Sequence, residues 1–459
     1  MQEKAEASTA GTVPTPPRPR SSFAKTAVLA ASPLLLVSLG ALLWPTWRCD
    51  HSLSRRSPPS SLASIDERVK IILSETPLID GHNDLAYVIR AVYNNHIYDD
   101  NFTKPFEDGG FPYHVDLARL REGQNGGAFW SVYGPCPGNG TDFSEENYLP
   151  SVQFTLQQID LVTRLQSRFP QDFSGIVDSE SALAAFRRGQ LISPLGIEGL
   201  HQIGNSAANL RRFHALGVRY ITLTHNCGNA FADAALRENP FGVAPPLWGG
   251  VSPRGRLLIN EMNRVGLIVD LSHTSVDTMR DVLGAGGDGW AGSKAPVIFS
   301  HSSAYAICPH PRNVPDDVLQ LVKKTNSLVM VNFAAEFISC AATPDPNGVP
   351  PFDPAHNTLS RVAEHVTYIG SLIGYDHVGF GSDFDGITRT PEGLGDVSRY
   401  PDLVAELLRR GVSDADAAKV VGANVLRVWA DAERVAAALQ DAGEPILEDE
   451  LPSFSGLGA

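Results

Sequence analysis

Histidines and carboxylates recur in this chain at the ends of short apolar runs. His82 and Asp84 close "PLIDGHND". At positions i and i+2 of an extended chain they point the same way, as two ligands of one cation must. Taken alone, the stretch reads more simply as a turn made by Gly81, Asn83 and Asp84, with His82 carried along. The same placement then repeats. Glu198 stands next to last in "LISPLGIEG" and His225 next to last in "RYITLTHN", His273 ends "GLIVDLSH", His301 follows "PVIFS" and Asp383 follows "HVGFGS". Chance would scatter the 13 histidines over helices and loops, where His214 and His377 do fall. Two imidazoles and one carboxylate suffice for a single catalytic zinc with an open position. His82, Asp84, Glu198, His273 and His301 exceed that number, and hold two cations if one carboxylate bridges them. Two cations about 3.5 to 4 Å apart make a hydroxide that is nucleophilic near neutral pH. Such a site cleaves amides, esters or phosphoesters, and spacing does not choose among them. The His/carboxylate mixture without a Cys ligand favours zinc, with manganese or cobalt able to substitute.

The elements that must position these groups are eight apolar runs: 77–84, 126–133, 191–199, 219–226, 266–273, 296–303, 327–333 and 377–386. Segments with helical spacing separate them. Ile65, Val69 and Ile72 share one face at the 3.6-residue period, and Ser275 is placed to cap a helix over the residues that follow. Apolar runs alternating with amphipathic helices predict parallel strands. Eight such units predict an α/β fold, a (β/α)8 TIM-type barrel with enlarged loops. A doubly wound open sheet is the alternative. In a barrel, catalytic groups sit at the C-terminal ends of the strands, where six of the eight runs carry them.

The whole chain has 459 residues, 43% hydrophobic and 19% charged, with a net charge of −14. That balance provides no basic face for nucleic acid, and no glycine pattern for a nucleotide cofactor is present. Residues 1–25 are expected to be a disordered tail. Residues 26–47 carry no charge and match the roughly 20 residues of a membrane anchor. Arg18, Arg20 and Lys25 before this run balance Arg48, Arg55 and Arg56 after it, so flanking charge does not set its orientation. A cleaved signal peptide is the alternative, with an unusually long polar leader. Residues 48–64 read as a flexible stem, 65–440 as the barrel domain, and 441–459 as a C-terminal tail without a lipid-anchor signal. Sequons at Asn101 and Asn139, together with Cys136, Cys227, Cys308 and Cys340, favour a lumenal or extracellular domain and a cytoplasmic N-terminus. Four cysteines allow three pairings. Cys49 is expected to stay outside them.

The motifs "DGHNDL", "GIEG", "TLTHNC", "VDLSHTS", "IFSHSSAY", "RNVPDD" and "GFGSDFDG" occur in order over about residues 65–435. As a set they resemble the membrane dipeptidase (renal dipeptidase) family, zinc barrels related to the amidohydrolases. The resemblance implies that His82 and Asp84 bind a first zinc, His273 and His301 a second, and Glu198 bridges the two. It implies that His225 contacts substrate near the scissile carbonyl, where a donor stabilises an oxyanion. Arg312 becomes the anchor of the substrate carboxylate, a bidentate task suited to guanidinium. Asp383 becomes the acid/base that carries a proton from water to the leaving amine. The disulfides implied are Cys136–Cys227 and Cys308–Cys340. The expected activity is hydrolysis of dipeptides by a metal-bridging hydroxide, with homodimerisation left open. Two alternatives stand beside it. One is a related binuclear amidase or lactamase acting on a specialised amide, such as a cysteinylglycine conjugate. The other is a silent surface binding protein, which would lack a ligand, whereas all five positions are filled. The chain departs from relatives at Ala86, Tyr87 and Leu200, which bears on pocket shape.

Overall fold

Eight strands, all parallel, lie side by side in chain order in the computed structural model, which describes residues 63–450 apart from Asp288. They are β1 (Leu78–Asn83), β2 (Asn125–Ser131), β3 (Leu195–Glu198), β4 (Val218–Thr222), β5 (Ile268–Asp270), β6 (Ile298–Phe299), β7 (Leu328–Val331) and β8 (Val378–Phe380). Each coincides with one of the eight apolar runs, β2 and β4 starting one residue early, but is shorter than its run, because the polar end leaves the ladder. The ring closes just past β8. Asp84 N–H donates to the Phe384 carbonyl at 2.9 Å, and Asp383 N–H to the His82 carbonyl at 3.1 Å. Asn83 and Phe384 form a parallel bridge there. This joint makes the sheet a (β/α)8 barrel rather than an open doubly wound sheet.

Strand alternation divides the core. Ile79, Phe129, Tyr220, Ile268, Ile298, Leu328 and Met330 belong to one buried cluster. Their immediate neighbours Leu78, Ala128, Trp130, Ile221, Val269, Phe299, Val329 and Val331 belong to another. The period of two sends one set into the barrel and the other outward against the helices. Helix Asn424–Asp441 adds Val425, Val428 and Trp429 to the inner set. From there a file of aromatic rings crosses the interior: Trp429 to Phe129 at 5.7 Å, Phe129 to Tyr220 at 5.3 Å, and Tyr220 to His82 at 6.4 Å. The interior thus passes from apolar packing to polar chemistry at the Tyr220 phenol.

Caps follow local sequence. Ser64, expected within the stem, instead forms a capping box with Glu67 and starts helix Ile65–Glu75. Ser275 caps helix Val276–Val282 as its sequence predicts. The anchor over 26–47, the disordered tail before it and the stem up to residue 62 lie outside the described residues. Among the described residues no helix is long and apolar enough to cross a membrane. An antiparallel ribbon of Leu236–Arg237 and Gly242–Val243, which the sequence pattern does not announce, lies in the long connection from β4 to β5.

The C-terminal segment is docked where a tail was expected. Arg211 donates to the Leu447 carbonyl, and Leu447 N–H to buried Glu261. Asp449 accepts from Ala207 N–H, Ala208 N–H and Ser206 Oγ at 2.6 to 3.0 Å, supplying a second cap to helix Ala207–Ala215. Partial burial alone would raise the Asp449 pKa, but these bonds outweigh it and hold the carboxyl below its ordinary value. Asp449→Ala is expected to lower stability by about 1 kcal/mol, the usual size of a lost cap, in urea unfolding at neutral pH. A depressed folded pKa means the contribution is present above the unfolded value, about 3.9, and is lost as pH falls through the folded one. The gap between variant and wild type should therefore close in acid.

Candidate metal centre and catalytic pocket

The C-terminal ends of β1, β3, β5 and β6 bring the five expected ligands together. Asp84 is at the N-cap position of helix Leu85–Tyr93, yet its side chain makes no cap bond. Asn83 Oδ1 takes the Leu85 N–H instead, at 3.2 Å, leaving the Asp84 carboxylate free for the pocket. Asp84 Oδ2 lies 3.1 Å from His82 Nε2, while buried Asp84 Oδ1 has no hydrogen-bond partner among the described residues. Glu198, the last residue of β3, stands in the centre. Its Oε2 faces His82 Nε2 at 3.6 Å, and its Oε1 faces His273 Nε2 at 2.9 Å and His301 Nε2 at 3.5 Å. The two oxygens of one carboxylate thus address two separate donor groups.

The rear nitrogens of the three histidines are all engaged. His82 Nδ1 is 2.7 Å from Tyr220 Oη, His301 Nδ1 is 2.8 Å from Ser300 Oγ, and His273 Nδ1 is 2.9 Å from Asn226 Oδ1. A ring held through Nδ1–H offers a bare Nε2, the form a ligand needs. Burial and nearby positive groups keep the His273 and His301 pKa values well below the usual histidine range. Burial also opposes charge on His82, but Asp84 and Glu198 outweigh it and push its pKa up to about 10. Burial pushes the Glu198 carboxyl well above its usual range, against the pull of His82. Two carboxylates thus meet at His82 Nε2, where a cation would neutralise their charge. Donor types, an orphaned carboxylate oxygen and excess buried negative charge all fit a divalent metal pair.

Around this core lie the other expected residues. Asp383 is partly buried and accepts from Asn332 Nδ2 at 3.1 Å. Burial, countered by His82 and supported by Asp84, pushes its carboxyl up to about 7. His225 Nε2 lies 4.0 Å from Glu198 Oε1, and its Nδ1 faces Glu238 Oε1 at 3.5 Å. Burial keeps this imidazole neutral, well below its ordinary pKa. Arg312 is 1% exposed, stacks over the Phe337 ring at 5.1 Å, and its side-chain nitrogens have no hydrogen-bond partner among the described residues. Burial pushes its pKa down to about 10, against the pull of Asp383 and Glu198. Asp84, Glu198, His225, His273, Arg312 and Asp383 all border one cavity of about 650 Å³.

The loops that carry the non-strand residues are cross-linked. The structure pairs Cys136 with Cys227, two residues past His225, and Cys308 with Cys340, on either side of the Arg312 loop and Phe337. Asn101 and Asn139 are exposed. Of the departures noted above, Tyr87 lines the cavity, whereas Ala86 and Leu200 are buried in the core and do not line it. Tyr220, Asn226 and Ser300, which face the rear nitrogens of the three imidazoles, and Asp270, which accepts from Ser300, were not singled out by sequence. The one available signal was a carboxylate inside an otherwise apolar strand, at Asp80 and Asp270. His273, Asp383 and Asp385 adopt φ of 65°, 65° and 68°, a strained region for side-chain-bearing residues that collects at functional sites.

Residues 66–443 match the family model described as membrane dipeptidase, peptidase family M19. The chain is 47% identical to dipeptidase aclJ of Aspergillus oryzae over 393 residues, covering 83% of this chain and 84% of that protein. It is 43% identical to dipeptidase tcpJ of Claviceps purpurea, over 82% of this chain and 81% of the relative. The crystal structure of the probable dipeptidase PvdM from Pseudomonas aeruginosa shares the fold, with TM-score 0.69 and 22% identity over 81% of this chain and 99% of that one. That of dipeptidase AC, a metallo peptidase of family M19, has TM-score 0.64 and 25% identity over 78% and 98%.

Gly386 tests how tightly the site is built. A Cβ there would meet Asp84 Oδ2 at 2.3 Å and Asp383 Oδ1 at 2.6 Å. Gly386→Ala is expected to displace one carboxylate and lower kcat by about 10²-fold, the usual effect of a 1 Å misplacement. Its thermal melting should remain near wild type, since the new methyl faces the cavity.

Proposed function

The chain belongs to the membrane dipeptidase family, the hydrolases of peptidase family M19, and on that premise we propose that it is a zinc-dependent dipeptidase that cleaves the single peptide bond of a dipeptide. The observation that carries this reading is Arg312, a buried guanidinium without a hydrogen-bond partner among the described residues, on the wall of the cavity that holds the ligand cluster. A buried charge left unpaired is strongly unfavourable, and its geometry matches a carboxylate. A substrate carboxylate bound there sits one residue from the reacting carbonyl, which explains a preference for dipeptides.

His82 and Asp84 would hold one zinc, His273 and His301 the other, with Glu198 shared. When bound, the pair supplies Lewis acidity for the scissile carbonyl and lowers the pKa of the attacking water. Asp383 receives the proton of that water and hands it to the leaving amine. A carboxyl near 7 suits both halves of the task. His225, neutral and beside Glu198, donates to the oxygen on which charge develops. Arg312 fixes the far end of the substrate, so the carbonyl is presented in one orientation. We also place this domain on the lumenal or extracellular side of a membrane. Two disulfides and the exposed sequons support that placement.

Arg312→Met should act mainly through KM, because losing one partner of a buried charged contact costs about 2 to 5 kcal/mol of binding. A C-terminally amidated dipeptide should correspondingly be a poor substrate for wild type. Equal cleavage of amidated and free dipeptides would remove the dipeptidase assignment and favour a broader amidase or lactamase acting on a specialised amide.

Asp383→Asn should lower kcat by about 10² to 10⁴, the range for a lost general acid/base, with metal content by elemental analysis unchanged. Loss of metal from that variant would instead make Asp383 a ligand.

A further inference from the structure

Asp270, at the end of β5, does not line the cavity, yet the His301 side of the ligand cluster leads back to it. Asp270 Oδ2 accepts from Ser300 Oγ at 2.6 Å and Thr222 Oγ1 at 2.5 Å, while Oδ1 accepts from Ser300 N–H at 2.7 Å and Ser272 N–H at 3.1 Å. A carboxylate that accepts from two hydroxyls and two amides settles the direction of every bond beyond it. The single Ser300 hydroxyl hydrogen goes to Asp270, a carboxylate acceptor at 2.6 Å, rather than to Ser272 Oγ at 3.3 Å. Ser300 Oγ can then only accept from His301 Nδ1, 2.8 Å away. That requires the proton on Nδ1 and leaves His301 Nε2 bare toward Glu198.

His82 is held by a different group: its Nδ1 lies 2.7 Å from the Oη of buried Tyr220. Gly196 leaves room for that ring, since a Cβ there would stand 2.2 Å from it. His273 is outside the network, because its Nδ1 is held by Asn226.

We infer that Asp270, acting through Ser300, is a positioning residue that fixes the ring tautomer of His301 and so turns its Nε2 toward Glu198. The inference rests on reading the cluster as a metal pair. Substituting Asp270 itself would also strip two backbone amides of their acceptor, so Ser300 is the cleaner test. The full-length protein is stripped with a chelator and titrated with cobalt(II) alone, in competition with a chromophoric chelator, while the visible cobalt bands are recorded. Wild type should bind two equivalents. Ser300→Ala should weaken one by about 10 to 100-fold, the usual effect of losing a partner behind a ligand, and spare the other. Thr222→Val removes a different donor to the same Asp270 oxygen but touches no histidine, and should leave both affinities and the bands unchanged. Two cobalt ions bound with wild-type affinity and bands by Ser300→Ala would overturn the inference. A wild type that binds no cobalt would instead overturn the metal-pair reading beneath it.

Discussion

The burial of the Glu198 carboxylate is the constraint to which the rest of the site answers. Moving an ionised carboxylate out of water costs several kcal/mol even after relaxation, a large share of the 5 to 15 kcal/mol that holds a domain folded. The protein treats its buried carboxylates in two ways. Asp80 accepts from Ser382 N–H, Ser382 Oγ and His82 N–H, and Asp270 is served as fully. These two are structural: Asp80 ties β1 to the end of β8 and Asp270 ties β5 to β6. Among the described residues Glu198 receives no backbone or hydroxyl donor at its oxygens, only imidazole nitrogens, and one oxygen of Asp84 receives nothing. Carboxylates left short of donors in a site that could have supplied them are set for cations.

Strain and cross-links follow from where the groups stand. The proposed metal ligands lie on a strand or within three residues of one, so the barrel positions them. His273 and Asp383 bend back into the mouth through left-handed backbone, which costs about 1 to 3 kcal/mol each and persists only where surroundings over-determine it. Here the surroundings are the ladder and the Asp80 and Asp270 clamps. Arg312 lies far beyond its strand, on a loop that a barrel does not fix. Cys308–Cys340 ties that loop to the Phe337 segment, and Cys136–Cys227 does the same beside His225.

Much of this was legible in the chain before folding. Strand number, strand order and the ligands at strand ends are local properties: an apolar run of period two ending in polar residues announces both a strand and its functional terminus. Residues such as His82, Glu198 and His301 stand out because histidine and glutamate are unusual at the ends of such runs. Ordered motifs added the roles proposed for Arg312 and Asp383, which spacing alone left ambiguous between loop, cap and catalysis. Asp449 was not legible, because its partners at 206–208 lie far back in sequence and nothing local marks a tail that will dock.

What only the tertiary structure decided are the relations that close over distance. An open sheet and a barrel share the same eight runs. Bonds from Asp84 to Phe384 and from Asp383 to His82, each spanning about 300 residues, separate them. From the residues alone four cysteines admitted three pairings, and loop geometry admits the one formed. Tyr220 and Ser300 read as ordinary strand residues, because a hydroxyl says nothing of which nitrogen it will meet. Sequence fixes which chemical groups stand at each strand end, since that depends on neighbours along the chain. Their orientation depends on groups the fold brings up behind them, and a hydrogen bond has direction only once both partners are in place.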